Sequence, residues 1–452
     1  MNALRLLLAT CACALAFAAD RKPNILVIVS DDHGYADVGF NGGKAVPTPH
    51  LDALAASGVR CTSGYVSHPF CSPTRAGLLT GRYQQRFGHE NNPAYNPTDA
   101  VAGLPLTEKL LPQFLREAGY RTGWIGKWHL GATPAHTPWA RGFEHTYGFI
   151  GGGHSFSGWA IDVKKEYNVP LTRDGQATTE IPAHLTTAFG QEAAAFVTRQ
   201  AGAPWMLYLA FNAPHTPHMP TAEREKQFAD VKDPTRRKYL AQISLLDDAI
   251  GEVTRALAAS GQTQDTLVFF FSDNGGKPSL GADNTPLRAK KGTVYEGGVR
   301  VPFVISWPAR LKAGSTYDRP VSSLDVTATA LSLAGVTFPS ERRLDGVNLI
   351  PFLRGETQAA PHTNLFWRIW RTGGEQSYAV RSGDWKLVRN GKQPDELYDL
   401  STDIGEAKDL ASARPEVVAK LSADLSAWDK ELVAPLFQGT RAGKAPAKKA
   451  KK

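Results

Sequence analysis

Asn24-Ile25-Leu26-Val27-Ile28-Val29-Ser30 is an almost wholly apolar stretch that leads directly into Asp31 and Asp32. A strand with one face in water alternates apolar and polar side chains, whereas a strand covered on both faces is apolar throughout. The stretch therefore predicts a strand in the middle of a sheet that has helices on both sides. Two adjacent carboxylates at the end of such a strand repel each other unless a cation shares them.

Two later stretches repeat this pattern of an apolar strand that ends in polar side chains. Residues 205–211 lead to His215, and residues 266–271 lead to Asp273 and Asn274. Strands that alternate with helical segments, as here, are typical of an α/β fold with a large, mainly parallel sheet. Because such sheets bind ligands beyond the carboxyl ends of their strands, we expect these polar side chains to form one site.

The polar residues at these strand ends also indicate which metal the site would take. Asp31, Asp32, Asp273 and Asn274 offer hard oxygen ligands and no pair of thiolates. Such a set suits calcium or magnesium rather than zinc. The amide oxygen of Asn274 favours calcium over magnesium in this interpretation.

Cys71 begins a stretch that reads Cys71-Ser72-Pro73-Thr74-Arg75 and runs on to Gly81. A proline followed by an apolar run predicts a helix whose first turn holds the cysteine. Free backbone N–H groups and the positive end of the helix dipole favour an anion at that position. Arg75, four residues further on, adds a positive charge to the predicted anion site.

Lys127 and His129 follow a short predicted strand at residues 120–125. Alternate residues of an extended segment point to the same side, so we expect the two side chains to form a cationic pair that can move protons. Either residue taken alone would be interpreted equally well as an ordinary surface side chain.

The composition changes from about residue 344, and the remaining pattern predicts a small antiparallel domain. Residues 378–388 have the form of a β-hairpin, residues 396–400 of a further strand and residues 415–432 of a closing helix. We therefore predict a catalytic domain at residues 20–338 and a C-terminal α+β subdomain at residues 339–438.

The two ends of the chain differ from the body. Residues 1–19 have a basic start, an apolar core and small residues at the expected cleavage site, which predicts a signal peptide and export to the periplasm or the medium. The formal net charge is +8, and residues 441–452 contribute six of these positive charges. Residues 439–452 are therefore predicted to be a disordered basic tail. The nearly neutral body argues against a nucleic-acid partner, and no stretch is long enough to span a membrane.

Taken together, these stretches resemble the type I, formylglycine-dependent sulfatases of the alkaline phosphatase superfamily. The signature of that family is Cys-x-Pro-Ser/Thr-Arg followed by Leu-Thr-Gly. The matching motifs, in family order, are Asp31-Asp32-x-Gly34, Cys71-x-Pro73-Thr74-Arg75 with Leu79-Thr80-Gly81, Gly126-Lys127-Trp128-His129-Leu130-Gly131, Ala213-Pro214-His215-x-Pro217, Ser272-Asp273-Asn274-Gly275 and Lys291-Gly292-Thr293-x-x-Glu296-Gly297-Gly298. The choice between Lys290 and Lys291 for the last motif is open, because Lys290 stands where the family usually has glycine.

The resemblance implies that a maturation enzyme oxidises Cys71 to formylglycine and that the hydrated aldehyde is the nucleophile. The metal ligands it implies, for one calcium or less favourably magnesium ion, are Asp31, Asp32, Cys71, Asp273 and Asn274. The other roles it implies are Arg75 holding the hydrate, Lys127 and Lys291 stabilising negative charge, His215 protonating the leaving oxygen and His129 taking a proton to release sulfate.

The resemblance further implies an arylsulfatase-type enzyme that hydrolyses sulfate esters, on a sulfated glycan or a small sulfate ester. Hydrolysis of phosphodiesters or phosphonate monoesters on a similar metal site is the alternative. Four residues of one stretch are candidates for stacking on sugars and holding their sulfates, or alternatively for a folded patch between domains. These residues are Trp367, Arg368, Trp370 and Arg371.

Overall fold

The computed structural model describes residues 22–158, 165–200, 202–370 and 376–439. The predicted signal peptide at residues 1–19, the candidate sugar-binding Arg371 and all of the predicted basic tail except Gly439 lie outside these ranges. Across the four ranges, every helix is too short or too polar to cross a membrane.

The described residues form strands in three sheets, with helices between them. The strands are β1 (Asn24–Ser30), β2 (Val59–Cys61), β3 (Gly64–Tyr65), β4 (Arg121–Lys127), β5 (His145–Phe149), β6 (Thr172–Arg173), β7 (Gln176–Ala177), β8 (Trp205–Ala210), β9 (Thr266–Ser272), β10 (Phe303–Ser306), β11 (Ser315–Tyr317), β12 (Val321–Ser322), β13 (Asn364–Trp370), β14 (Gln376–Ser382), β15 (Trp385–Asn390) and β16 (Glu396–Asp399). The α-helices are α1 (Pro49–Ala56), α2 (Cys71–Thr80), α3 (Leu111–Glu117), α4 (Leu185–Arg199), α5 (Ala222–Lys226), α6 (Pro234–Ala259), α7 (Glu296–Val299), α8 (Asp325–Leu333), α9 (Ile350–Leu353) and α10 (Pro415–Asp429).

The large sheet has the strand order β11-β2-β10-β9-β1-β8-β4-β5-β6-β7. Its centre is parallel, because β1 pairs in parallel with both β8 and β9, and β4 pairs in parallel with β8 and β5. Antiparallel pairs occur towards the margins, where β10 meets β9 and β6 meets β5. The predicted fold class is therefore confirmed, with a sheet that is mixed at its edges.

The central strand β1 is buried on both faces, as its continuous apolar sequence predicts. Val27 and Val29 belong to one hydrophobic cluster with Leu78 of the signature helix α2. Leu26 and Ile28 belong to a second cluster on the opposite face, together with side chains of α4 and α6. The alternation of side chains along β1 thus ties both helical layers to the same strand.

The C-terminal part of the chain forms a four-stranded antiparallel sheet in the order β13-β14-β15-β16, against which α10 packs. The hairpin predicted at residues 378–388 corresponds to β14 and β15, with Gly383 in a left-handed conformation at the turn. A fully buried ammonium of Lys386 joins this sheet to the rest of the chain. It lies 2.7 Å from a carboxylate oxygen of Glu296 and 2.9 Å from one of Glu406.

Candidate active site

The polar strand ends meet along one edge of the large sheet. The neighbouring parallel strands β9, β1 and β8 lead into Asp273, Asp31 and His215, and the next strand, β4, ends at Lys127. The register pairs the last residue of β1 with the last residue of β9, so the residues that follow them lie side by side. The structure therefore brings together the side chains that the strand-end argument predicted to share a site.

A cluster of buried acidic groups lies at this edge. Potential ligand atoms of Asp31, Asp32, Cys71 and Asp273 all lie within 4.8 Å of one another. Asp32 adopts a left-handed backbone conformation, with φ of 63°, and its amide donates to Oδ1 of Asp273 at 3.3 Å. The side-chain Nδ2 of Asn274 donates to Oδ1 of Asp32 at 2.7 Å, whereas its Oδ1 is buried and has no hydrogen-bond partner among the described residues. Carboxylates beside an unpartnered amide oxygen fit a hard divalent cation.

The ionisation of these carboxyl groups reflects their crowding. Burial and the neighbouring carboxylate of Asp31 raise the pKa of Asp273 to about 6. Burial alone would also raise the pKa of Asp32, but the charge of Lys291 and the hydrogen bonds from Lys291 and Asn274 hold it well below its usual range. A cation bound among these groups would relieve their mutual repulsion and favour their ionised forms.

Cys71 is the first residue of α2 and follows Phe70, which is extended. Its Sγ lies 3.5 Å from Oδ1 of Asp31 and 3.1 Å from Nζ of Lys291. Burial, reinforced by the charge of Asp273, raises the pKa of the Cys71 thiol above its ordinary value. An unmodified Cys71 is therefore protonated at neutral pH and a poor nucleophile, because the thiolate is the reactive form.

Arg75 and Lys127 are both fully buried against the acidic cluster. The Nη2 and Nε of Arg75 donate to Oδ2 of Asp273 at 2.8 and 3.1 Å, and Nη1 reaches the backbone carbonyl of Lys127 at 3.3 Å. The Nζ of Lys127 donates to Oδ2 of Asp31 at 2.5 Å. The two cations offset the buried negative charge and fix the carboxylates in place.

The structure distinguishes the two lysines between which the motif left a choice. The ammonium of Lys291 contacts Oδ1 of Asp32 and Sγ of Cys71, whereas Lys290 is exposed. Gly292, with φ of 80°, makes the turn that follows Lys291.

His129 reaches the site in a way that the sequence did not predict. Strand β4 ends at Lys127, and His129 adopts a left-handed conformation with φ of 62°, so the argument from alternation along an extended segment is wrong. The side chain is nevertheless buried beside the same charges. Burial and the charges of Lys127 and Arg75 lower the pKa of His129 well below its usual value, so its imidazole is neutral.

His215 also borders the acidic cluster, with Nε2 3.8 Å from Oδ2 of Asp32. Its Nδ1 donates to the backbone carbonyl of Thr216 at 2.6 Å, which fixes the tautomer of the neutral ring. Burial lowers the pKa of His215 to about 3, although Asp32 acts in the opposite direction. Nε2 of the neutral ring therefore carries a lone pair.

Three tyrosines near the site were missed by the sequence analysis. The hydroxyl of Tyr208 accepts from Nη1 of Arg75 at 3.3 Å, and the hydroxyl of Tyr239 donates to the backbone carbonyl of Asp32 at 3.1 Å. The ring of Tyr167 lies edge-on to His215, with centroids 6.5 Å apart. None of the three belongs to a motif, and Tyr208 lies within a stretch that the sequence indicated to be an apolar strand.

Two of the suggested sugar-binding residues, Trp367 and Arg368, are buried. Trp367 and Arg368 are 1 % and 3 % exposed, and so cannot form an open sugar platform. The Nε1 of Trp367 donates to the carbonyl of Val66 at 2.7 Å, and the guanidinium of Arg368 pairs with Glu90. The interpretation as a folded patch is correct for these two residues, because the C-terminal sheet packs against the large domain here.

Comparison with known proteins gives two matches to family models. Residues 23–336 match the family described as Sulfatase. Residues 289–431 match the family described as N-sulphoglucosamine sulphohydrolase, C-terminal. The two matches overlap at residues 289–336, which include Lys291 and the glycine pair that follows Glu296.

Individual relatives cover most of the chain. N-acetylgalactosamine-6-sulfatase of Mus musculus is 36% identical over 396 residues, which is 82% of this chain and 73% of the relative. The crystal structure of Ps i-CgsB in complex with k-i-k-neocarrahexaose is 36% identical, covers 93% of this chain and 96% of its own, and superposes with a TM-score of 0.88. The PsFucS1 sulfatase from Pseudoalteromonas sp. is 25% identical, with 92% of each chain covered and a TM-score of 0.78.

Proposed function

The chain belongs to the sulfatase family and is a sulfuric ester hydrolase, and on this basis we propose that it removes sulfate from sulfated carbohydrates with a nucleophile derived from Cys71. The observation that carries the proposal is the position of Cys71, which begins the buried helix α2 and faces Asp31, Asp32 and Lys291. Support for a carbohydrate substrate comes from the relatives, one named for a sulfated amino sugar and one solved with a neocarrahexaose.

We propose that one divalent cation, calcium rather than magnesium, is held by the acidic cluster. Its ligands would be Asp31, Asp32, Asp273, Asn274 and residue 71. A cation in this position would supply positive charge that favours a deprotonated hydroxyl and offsets the charge of the sulfate group. The Oδ1 of Asn274, for which the described part of the chain offers no donor, supports the assignment, since a buried acceptor without a donor is otherwise costly.

The nucleophile requires a change at residue 71. A maturation enzyme would oxidise Cys71 to formylglycine, whose hydrate carries two hydroxyl groups on one carbon. One hydroxyl oxygen forms a bond to sulfur while the bond from sulfur to the substrate oxygen breaks, which leaves a sulfate ester on residue 71. The second hydroxyl then loses its proton, so that the aldehyde re-forms and sulfate is expelled. An unmodified cysteine lacks this second hydroxyl and cannot perform the step.

The charges around residue 71 suit this reaction. The ammonium groups of Lys127 and Lys291 would lie beside the sulfate oxygens, where negative charge accumulates during the reaction. Fixed cations in a buried site stabilise such charge more effectively than mobile water does. Arg75, paired with Asp273, keeps that carboxylate in position beside the reacting group.

His215 and His129 would move the protons. His215 protonates the leaving oxygen from Nε2, because Nδ1 is already engaged with Thr216. The negative charge of a bound sulfate would favour the protonated ring that this role needs. His129 is neutral and has a buried Nδ1 without a hydrogen-bond partner among the described residues, which suits it to take the proton of the second hydroxyl.

The predicted signal peptide and the proposed formylglycine each imply a requirement in the cell. We propose that the protein is exported to the periplasm or the medium, where it would act on large sulfated glycans. We also propose that it depends on a maturation enzyme of its host. Cell fractionation with an antibody to the mature chain tests the first statement. Expression with and without a formylglycine-generating enzyme tests the second.

The activity itself is tested with matched substrates that differ only in the group transferred. The mature enzyme is assayed with nitrophenyl sulfate, a nitrophenyl phosphodiester and a nitrophenyl phosphonate monoester, and then with sulfated galactose and N-acetylgalactosamine saccharides. We expect kcat/KM to be highest for the sulfate and desulfation of at least one saccharide. A higher kcat/KM for the phosphodiester or the phosphonate would favour the alternative function and overturn the proposal.

A further inference from the structure

The hydroxyl of Ser72, next to the nucleophile, joins two histidines. Its Oγ lies 2.5 Å from the backbone carbonyl oxygen of His129 and 2.6 Å from Nε2 of His89. A carbonyl oxygen can only accept, so Ser72 donates its proton to His129 and accepts from the Nε2–H of His89. Burial lowers the pKa of His89 to about 4, so at neutral pH this ring is uncharged.

The backbone of His129 needs support of this kind. A left-handed conformation is unfavourable for a residue with a Cβ atom and persists only where its surroundings hold it. The amide of His129 donates to the carbonyl of Ile150 at 3.0 Å, and its carbonyl accepts from Ser72. The ring also fits closely, since a Cβ atom at Gly152 would lie 2.7 Å from Nε2 of His129. Rotation of this peptide would therefore displace the imidazole.

His89 is in turn covered by residues 433–439, which we call the C-terminal strap. The ring of Phe437 lies edge-on to His89, with centroids 5.1 Å apart. Hydrogen bonds fix the strap to the loop around His89, among them one from the amide of Leu436 to the carbonyl of Gly88 at 3.0 Å and one from Nδ2 of Asn91 to the carbonyl of Phe437 at 3.0 Å. Phe437 of the strap thus contacts His89, which in turn contacts Ser72.

We propose that Ser72 and His89 are positioning residues that hold His129 in its left-handed conformation, and that the C-terminal strap keeps His89 in place. The inference rests on the proposed role of His129 in releasing sulfate from residue 71. It follows that a substitution that weakens these contacts slows the breakdown of the sulfated enzyme and leaves the attack on substrate almost unchanged. A purely structural role would instead lower both steps together, in proportion to the folded fraction.

The test begins with Ser72→Ala, which removes the hydroxyl and nothing else. Because Ser72 adjoins Cys71, the formylglycine content of each preparation is measured by mass and rates are expressed per formylglycine. In rapid-quench experiments with nitrophenyl sulfate we expect the sulfate adduct on residue 71 to break down about tenfold more slowly, which is the order expected for loss of one buried hydrogen bond. We expect kcat/KM, which covers only the steps up to adduct formation, to change less than twofold.

Two further comparisons separate positioning from stability. Thr80→Val removes a buried hydroxyl of the same helix that donates to the carbonyl of Ala76 at 2.8 Å, and we expect normal adduct breakdown. His89→Leu should slow breakdown as Ser72→Ala does, whereas His89→Gln, whose amide can donate from a similar place, should restore most of the rate. Phe437→Ala should slow the same step by a smaller factor.

Two results would overturn the inference. One is adduct breakdown at the normal rate in Ser72→Ala, and the other is an equal loss of kcat/KM and breakdown rate in both Ser72→Ala and His89→Leu. His129→Ala is measured alongside to separate this inference from the proposed function. If His129→Ala accumulates adduct and Ser72→Ala does not, only the inference fails, whereas absence of adduct in His129→Ala would refute the role of His129 itself.

Discussion

The Nζ of Lys291 lies 3.1 Å from the Sγ of Cys71, although 220 residues separate them in the chain. The same ammonium contacts Asp32, and the carboxylates of Asp32, Asp31 and Asp273 raise the pKa of Lys291 well above its usual value despite burial. The lysine is therefore a permanent cation beside the residue that we propose to carry the sulfate. This contact gives the first prediction.

Lys291→Ala should lower kcat/KM for nitrophenyl sulfate by about a hundredfold or more, the order found when a fixed group that stabilises transition-state charge is removed. Lys290→Ala is the matched control, because Lys290 is the adjacent lysine and is exposed. Steady-state kinetics of both variants make the comparison. A loss of kcat/KM in Lys290→Ala that equals the loss in Lys291→Ala would show that the role given to Lys291 is wrong.

The acidic cluster should bind one divalent cation and gain stability from it. Asp273→Asn should lower the metal content measured by mass spectrometry and reduce the rise in melting temperature when calcium is added. A ligand at a hundred times its Kd stabilises the folded state by about 2.7 kcal/mol, so the rise should be readily seen in the unaltered protein. Asp345→Asn is the control, since it also removes a buried carboxylate, one paired with Arg86. Equal metal content in both variants would argue against the site.

His215→Ala should slow the step in which the leaving oxygen needs a proton. General acid help is worth about a hundredfold to ten-thousandfold, so the loss should be of that order on a sugar sulfate and much smaller on nitrophenyl sulfate. His218→Ala provides the comparison, because this histidine lies three residues further on and packs against Tyr239. A loss in His215→Ala that is the same for good and poor leaving groups would contradict the assignment.

Trp367 should affect the stability of the fold rather than the binding of a sugar. Trp367→Ala removes a fully buried indole that packs against Tyr65, so the free energy of unfolding should fall by about 3–5 kcal/mol. Trp370→Ala, at a half-buried position on the same strand, should cost less. Denaturant unfolding measures both changes. A raised KM for a saccharide in Trp367→Ala without loss of stability would instead support a role of Trp367 in sugar binding.

Much of the architecture follows from local patterns in the sequence. Continuous apolar strands such as residues 24–30 indicate a sheet covered on both faces, and the carboxyl ends of parallel strands meet at one edge whatever the strand order. For this reason Asp31, Asp273 and His215 could be expected together before their neighbours in the sheet were known. Their catalytic roles and their metal stay predictions, because position alone does not show chemistry.

Other features depend on contacts between distant parts of the chain. Arg368 is buried because Glu90, 278 residues earlier, neutralises it, and nothing near Arg368 in the sequence indicates that partner. His129 has a left-handed backbone because Ser72 and Ile150 hold its peptide groups. Local periodicity carries no information about such pairs. The sequence therefore predicted correctly that His129 and Lys127 share a site, but the extended backbone from which this was argued is wrong.

The central claim is that residue 71 acts as formylglycine in sulfate ester hydrolysis. The most direct measurement compares preparations matured to different extents, with the formylglycine fraction at residue 71 determined by peptide mass and the rate with nitrophenyl sulfate determined on the same samples. We predict that the rate is proportional to the formylglycine fraction and extrapolates to nearly zero for protein that is folded but carries only Cys71. Full activity in a preparation whose residue 71 is entirely unmodified cysteine would contradict the claim.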